Sequence, residues 1–348
     1  MKVPNRITGP WTLADAYMPK DAGTVFTCFA CAGGSTMGYK LAGFDVIGCN
    51  EIDPKVFSVY KRNHNPSMAY VCSIRDMLQA DLPEALYNLD ILDGSPPCTS
   101  FSTAGTRERD WGKSKQFAEG QKDQRLDDLF FEFIALASKL QPKFVIAENV
   151  NGMLLGKARG YIKEIKQAYD QAGYRVQLFK LNAARMGVPQ SRGRVFFVAH
   201  RKDLELKPIK LRFNEKPITF GEVSDWLGEH SFRGESLKMT KEQGELWARC
   251  EPGKSLSTVH PKGNYFTSTR LSNSKPAPTL VAASGSSAFH PSEQRHISLD
   301  ETACCSTFPM DMQWCTGLAH AKWLMGMSVP PFMMQRIALE VRQQWMQH

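Results

Sequence analysis

The sequence predicts an α/β protein built on a mostly parallel, doubly wound sheet, with a small irregular domain set before its C-terminal segment. Three observations carry that prediction. Short apolar runs alternate with helical patterns as far as residue 200, the texture of a sheet covered on both faces. Residues 201–268 are polar, rich in Lys, Glu, Gly and Ser, and lack clear periodicity. Residues 269–348 recover order and close on a helical stretch. The expected division is an α/β domain over 1–200, the irregular domain over 201–268, and a segment 269–348 returning to the first.

Each element has its own justification. "TVFTCFA" (24–30) is a short apolar strand that runs into the small-residue turn "CAGGS", and the helical stretch after it continues through Leu41 to a stop at Gly43. "FDVIGCNEID" (44–53) is a second strand ending in acids, and "NLDILDGSPP" (88–97) a third. A polar, charged stretch follows from Thr99 to about Arg125. The helix "LDDLFFEFIALASKL" (126–140) has Asp127 and Asp128 in its first turn and Pro142 beyond its end. "PKFVIAENV" (142–150), "YRVQLFKLN" (174–182) and "RVFFVAH" (194–200) read as strands, with the helix "GYIKEIKQAYDQAG" between the first two. The last helix begins near "PPFMMQRIALEVRQQW". Sheets of this kind bind ligands at the carboxyl ends of their strands.

At 348 residues, 42% hydrophobic and 22% charged, the chain has the composition of an ordinary soluble globular protein with a full-sized core. No stretch approaches the roughly 18 uninterrupted apolar residues of a membrane span. The first residues lack the apolar centre of a signal peptide, which makes the cytoplasm the expected location. The 9 cysteines are scattered through strands and helices, so reduced thiols are expected. Cys28 and Cys31 form a CxxC with no second pair at zinc-ribbon spacing, and Cys304, Cys305 and Cys315 are too irregular to complete a site; no metal is expected. The net charge of +8 and pI near 9.0 suit a polyanionic partner.

Four short motifs carry chemistry. "FACAGGSTMG" (29–38) follows a strand and opens a helix, so its glycines admit a ligand close to the backbone. Glu51, at the end of the next strand, suits a carboxylate accepting hydrogen bonds from both ribose hydroxyls of an adenosine cofactor. The glycines do not spell the GxGxxG dinucleotide fingerprint, which counts against a nicotinamide oxidoreductase. Cys98 follows Pro96 and Pro97 just past a strand, where fixed φ angles set the direction of its approach. A free thiol of pKa ~8.5 gains reactive thiolate beside a helix N-terminus or arginines. Glu148, in "ENV", reaches the same edge and can act as an acid if desolvation raises its pKa. "QSRGR" (190–194) puts Arg192 and Arg194 on one face of an incoming strand, able to steady a thiolate, carboxylate or phosphate.

The order F-x-x-x-G-G, P-P-C, E-N-V, Q-x-R-x-R resembles that of the DNA cytosine-5 methyltransferase family in its stand-alone prokaryotic or phage form. "RLSNSKPAPTLVA" (270–282) and "GMSVPP" (326–331) resemble two further family elements, and the resemblance spans roughly residues 24 to 345. It implies a Rossmann-like S-adenosylmethionine-dependent methyltransferase fold and a cytosine flipped out of double-stranded DNA. It implies that Cys98 attacks ring carbon 6, that Glu148 protonates or hydrogen-bonds ring nitrogen 3, and that Arg192 and Arg194 support them. The matching cofactor positions are Phe29, Ala32, Gly33, Gly34, Glu51, Ile52, Ser73, Ile74, Pro97, Leu129 and Ser328. Residues 99–125 correspond to the mobile loop closing over the base, and 201–268 to the target-recognition region.

The chain departs from the family at Cys31 (usually Gly), Ser73 (usually Asp), Thr99 (usually Gln) and Met327 (usually Asn), which implies weaker or rearranged cofactor binding. Two alternatives remain beside the main reading. A tRNA cytosine-5 methyltransferase typically carries Cys-Phe-Thr in its recognition region, absent from 201–268. A catalytically inactive DNA-binding relative would have no use for Cys98, Glu148, Arg192 and Arg194 together. A monomer is expected, with a cognate restriction endonuclease as a partner.

Overall fold

Along the central strands, apolar side chains alternate between two cores. In the strand Phe144–Val150, Phe144 and Ile146 enter one core while Val145 and Ala147 enter the other; Phe196 and Val198 against Phe197 and Ala199 repeat this in Gly193–Arg201. Period-two alternation with apolar residues on both sides is what a doubly covered sheet requires. The computed structural model describes residues 9–16, 19–97, 128–154, 158–228, 236–282 and 288–346.

The strands are β1 (Thr24–Cys28), β2 (Asp45–Asn50), β3 (Met68–Tyr70), β4 (Ile91–Gly94), β5 (Phe144–Val150), β6 (Tyr174–Asn182), β7 (Gln190–Ser191) and β8 (Gly193–Arg201). All but β7 join a seven-stranded sheet in the order β3-β2-β1-β4-β5-β8-β6. Neighbours are parallel except β8, which runs antiparallel to both β5 and β6. The strand order reverses between β1 and β4, the crevice at which open α/β sheets receive ligands. β7 instead pairs with Ala277–Pro278, and a further short pair joins Thr269–Arg270 to Ala288–Phe289.

The helices are α1 (Gly34–Leu41), α2 (Pro54–His64), α3 (Ile74–Gln79), α4 (Glu84–Tyr87), α5 (Leu129–Leu140), α6 (Ala158–Gln171), α7 (Phe220–Leu227), α8 (Lys241–Arg249), α9 (Leu299–Cys305), α10 (Leu318–Met327) and α11 (Pro331–Trp345). One face of the sheet is covered by α1, α2, α10 and α11, the other by α3 to α6. Among the described residues α5 runs from Leu129 with Asp128 at its N-cap position; Leu126 and Asp127 lie outside them. Among the described residues no helix is long and apolar enough to cross a membrane.

In the second half of the chain, residues on both sides of position 268 share cores. Ile209 and Leu211 bury themselves in the large core, where Lys210 N–H donates to Gln344 and Trp345 Nε1 to the Lys207 carbonyl. The small cores draw on Phe220, Val223, Leu246 and Leu256, but equally on Leu271, Ala288, Phe289 and Ile297. Arg270 staples this region: its guanidinium donates to the carbonyls of Trp247, Cys250 and Pro291 and lies 3.8 Å over the Trp247 ring. α11 closes the large domain with charge buried in its core face. Arg336, fully buried, pairs with both Glu215 oxygens at 3.1 Å. Breaking such a pair costs about 3–5 kcal/mol because the partner charge stays buried.

Candidate active site

β1 delivers the chain into a tight turn at the carboxyl edge of the sheet. Phe29 (φ 53°) and Cys31 (φ 48°) are both left-handed, and Gly33 (φ 83°) caps α1. An L residue meets a cost of about 1–2 kcal/mol in that conformation, so Cys31, where the family usually has glycine, stores strain beside the site. Gly33 and Gly34 are needed for packing: a Cβ on Gly33 would lie 2.2 Å from His64 Nε2, and one on Gly34 2.0 Å from the Val329 carbonyl oxygen. Glu51 ties this turn to the end of β2. Its Oε2 accepts the Cys31 N–H at 2.9 Å and its Oε1 the Asp53 N–H at 3.0 Å, while burial raises its pKa.

Register places a polar row across the sheet, on the face of α1. Thr27 of β1 lies opposite Asp93 of β4, Asp93 opposite Ile146 of β5, and Glu148 two residues further along β5. Glu148 lies opposite Phe196 of β8, so Arg194 is its diagonal neighbour on the same face. Arg194 Nε meets Glu148 Oε1 at 2.8 Å, with the side chains 13% and 10% exposed. Asn149 Nδ2 donates to the Pro96 carbonyl at 3.0 Å, fastening β5 to the Pro-Pro stretch. Cys98, Thr99 and the rest of the 99–125 loop lie outside the described residues.

The two arginines of "QSRGR" divide their duties. Arg194 holds Glu148, whereas Arg192 is buried and donates to the carbonyls of Leu280 (3.3 Å), Gly326 (2.8 Å) and Ser328 (3.0 Å). Burial pulls its pKa down to about 9, still cationic at neutral pH, and its Nε has no hydrogen-bond partner among the described residues. Gln190 adds to this clamp, donating to the Cys305 carbonyl and accepting from Leu280 N–H.

The remaining expected positions cluster on the two sides of the crevice. Phe29 packs on the core that holds Ile74 and Leu129. Ala32 is buried, Ile52 and Pro97 half-buried, and the Ser328 hydroxyl donates to the Leu324 carbonyl. Ser73 caps α3: its Oγ accepts the Arg75 N–H at 3.3 Å and its own N–H donates to Asp76. Serine caps a helix about as well as aspartate, so the start of α3 keeps its cap with Ser at this place. Met327 ends α10 and is 45% exposed. Burial pushes the Cys31 and Cys49 thiols up to about 12 and raises Cys28 as well, so none of these is a thiolate at neutral pH.

Asp93 is the residue that sequence reasoning passed over. It is 1% exposed, accepts a hydrogen bond from Tyr39 Oη at 3.2 Å, and its Oδ2 lacks a partner among the described residues. Burial, with Glu148 nearby, lifts its pKa to about 8. An acid inside the apolar run "ILDG" was the available signal. No group of three or more His, Cys, Asp or Glu side chains able to hold a metal occurs among the described residues.

Comparisons with known proteins agree with this geometry. The family model described as C-5 cytosine-specific DNA methylase matches residues 24–343. The type II methyltransferase M.FnuDI of Fusobacterium nucleatum is 31% identical over 281 residues, covering 80% of this chain and 76% of its own. M.NgoPII of Neisseria gonorrhoeae is 36% identical over 183 residues, 53% of this chain and 49% of its own. A prophage-encoded DNA modification methyltransferase from E. coli shares the fold, with a TM-score of 0.70 at 21% identity over 92% of this chain and 99% of that one. With motifs, fold and the extent of the match in agreement, the chain belongs to the C-5 cytosine-specific DNA methylase family.

Proposed function

We propose that this chain methylates carbon 5 of cytosine within a short recognition sequence of double-stranded DNA, with S-adenosylmethionine as methyl donor. The observation that carries the proposal is the Glu148–Arg194 pair at the carboxyl edge, one strand from the Pro96–Pro97 stretch that leads into Cys98. The cofactor suits the residues present. Glu51 offers a buried carboxylate whose oxygens are each held by one backbone N–H and keep lone pairs for ribose hydroxyls. Phe29, Ile52, Ile74 and Leu129 supply apolar surface for an adenine, with Ala32, Gly33, Gly34, Ser73, Pro97 and Ser328 lining the same crevice. When bound, S-adenosylmethionine supplies an electrophilic methyl group.

The protein's own contribution is activation of the base. The Cys98 thiolate adds to carbon 6 of a flipped cytosine while Glu148 hydrogen-bonds or protonates nitrogen 3, making carbon 5 nucleophilic. Arg194 holds the Glu148 carboxyl in place, and Arg192 holds the walls at 280 and 326–328 around it. Loss of the carbon 5 proton and expulsion of Cys98 complete the turnover. Burial keeps the thiols of Cys28, Cys31 and Cys49 neutral, so none of these three competes with Cys98 as the nucleophile.

The test is bisulfite sequencing of DNA from a methylation-deficient bacterial host expressing the chain or its Cys98→Ala variant. Protected cytosines in one short motif, absent with the variant, are expected. Soluble protein that protects no DNA cytosine would overturn the proposal and turn attention to tRNA. The type II names of the relatives favour a cognate endonuclease; a monomer is proposed because flipping one base needs one active site, with the cytoplasm as the setting.

A further inference from the structure

We propose that a basic cleft between β6 and the segment 211–214 grips backbone phosphates of the DNA flanking the target base. This rests on the DNA methyltransferase reading and adds a contact surface to it. The cleft, about 490 Å³, is lined by Lys180, Asn182, Arg185, Arg212, Phe213 and Asn214 among others. Lys180, Arg185 and Arg212 are exposed, and no hydrogen bond or ion pair engages their side chains among the described residues. Glu215, whose N–H donates to the Arg185 carbonyl, is held at both carboxyl oxygens by Arg336. The cations face solvent, together with the amide of Asn214 and that of Asn182, which also donates to Ser191 Oγ. Guanidinium forks and an ammonium beside amide donors match the oxygens of a phosphodiester.

Location selects DNA over a small free anion. In the β6–β8 ladder Leu181 lies opposite Arg194 and Lys180 opposite Val195. Strands are spaced about 4.8 Å apart, so β6 lies one strand from Arg194 and two, roughly 10 Å, from the strand carrying Glu148; Leu181 shares their face, while Lys180 and Asn182 line the cleft from the other face of this edge strand. A polyanion presenting its base to Glu148 passes this edge. The exposure of the cations fits a backbone that slides across them.

The test uses the full chain and a duplex bearing the motif found by bisulfite sequencing. Neutral methylphosphonates replace the phosphates one at a time, and the Lys180→Gln/Arg185→Gln/Arg212→Gln variant is compared with the wild type. Each phosphate contact is worth about fivefold in affinity at ~0.15 M salt, so the variant binds about a hundredfold more weakly, with a salt slope shallower by about 0.9 per contact. The loss is uniform across DNA sequences, and one or more flanking methylphosphonates that weaken the wild type leave the variant unaffected. An identical methylphosphonate profile in the two proteins overturns the proposal. So does inorganic phosphate at millimolar concentration abolishing the difference between them, which marks a small-anion site. Failure of the wild type to methylate any DNA would instead remove the underlying reading, and is seen separately in the bisulfite result.

Discussion

Replacing Asp93 by Asn should flatten the pH dependence of stability. Asp93 is buried and its pKa rises from 3.8 to about 8, chiefly through desolvation. In the unfolded chain the same carboxyl ionises near 3.9. Between about pH 4 and pH 8 the folded protein thus holds a proton that the unfolded chain has released, and stability falls as pH rises. The slope from this one group is about 1.4 kcal/mol per pH unit, or about 3 kcal/mol between pH 5 and pH 7. Asparagine keeps the shape and cannot ionise. Because Asp93 Oδ2 has no partner among the described residues, the new amide adds a cost of about 1–3 kcal/mol, but one independent of pH. The slope, and not the absolute stability, is the observable. Urea unfolding of both proteins at half-unit steps from pH 5 to pH 8 measures it. The difference in unfolding free energy should move toward the variant by about 3 kcal/mol over two units. Parallel curves would refute the reasoning and mean that Asp93 is ionised in the fold.

Glu148→Gln removes the carboxyl that faces Arg194; the rate of covalent trapping on fluorocytosine DNA should fall about 10²- to 10⁴-fold, and an unchanged rate would deny Glu148 its role. Gly34→Ala forces a Cβ to within 2.0 Å of the Val329 carbonyl, which is backbone and cannot step aside; differential scanning calorimetry should show a loss of about 1–3 kcal/mol, and a stability equal to wild type would mean that the turn and the 328–329 segment are not packed together.

Much of this was legible in the chain because it was written in short-range patterns. The strands β6 and β8 and the helix α11 follow from apolar periodicity bounded by turn residues, and motif order brought Glu51, Glu148 and Arg194 to one edge. Other elements had signals of a kind that periodicity does not register. α2 opens with Asp53–Pro54, an N-cap followed by a proline at the first helical position, yet the run reads as the end of a strand. α7 and α8 lie in a polar stretch without clear period, but each starts with a capping box, Thr219 with Glu222 and Thr240 with Gln243. What the sequence could not show is how Arg192 and Arg194 part. Two arginines two apart look equivalent until β7 ends and β8 begins around Arg192, sending it toward carbonyls some 90 to 140 positions away. Asp93 was hidden for a similar reason, since an acid inside a strand is ordinary if exposed and unusual only once burial is known.

The contact of Gly34 with Val329 and the hold of Arg192 on residues 326 and 328 set the order in which this protein becomes competent. Loop closure across nearly 300 residues, Gly34 to Val329, joins the turn after the first strand to the last two helices. During synthesis the β-α units emerge first, with the crevice between β1 and β4 still lacking one wall. At about 5–20 residues per second, tens of seconds separate the first strand from the segment that covers its turn. A nascent chain halted before α10 would carry Glu51, Glu148 and Arg194 but lack two of the three carbonyls that hold Arg192, those of Gly326 and Ser328. Methyl transfer thereby waits on the segment that carries residues 326–329.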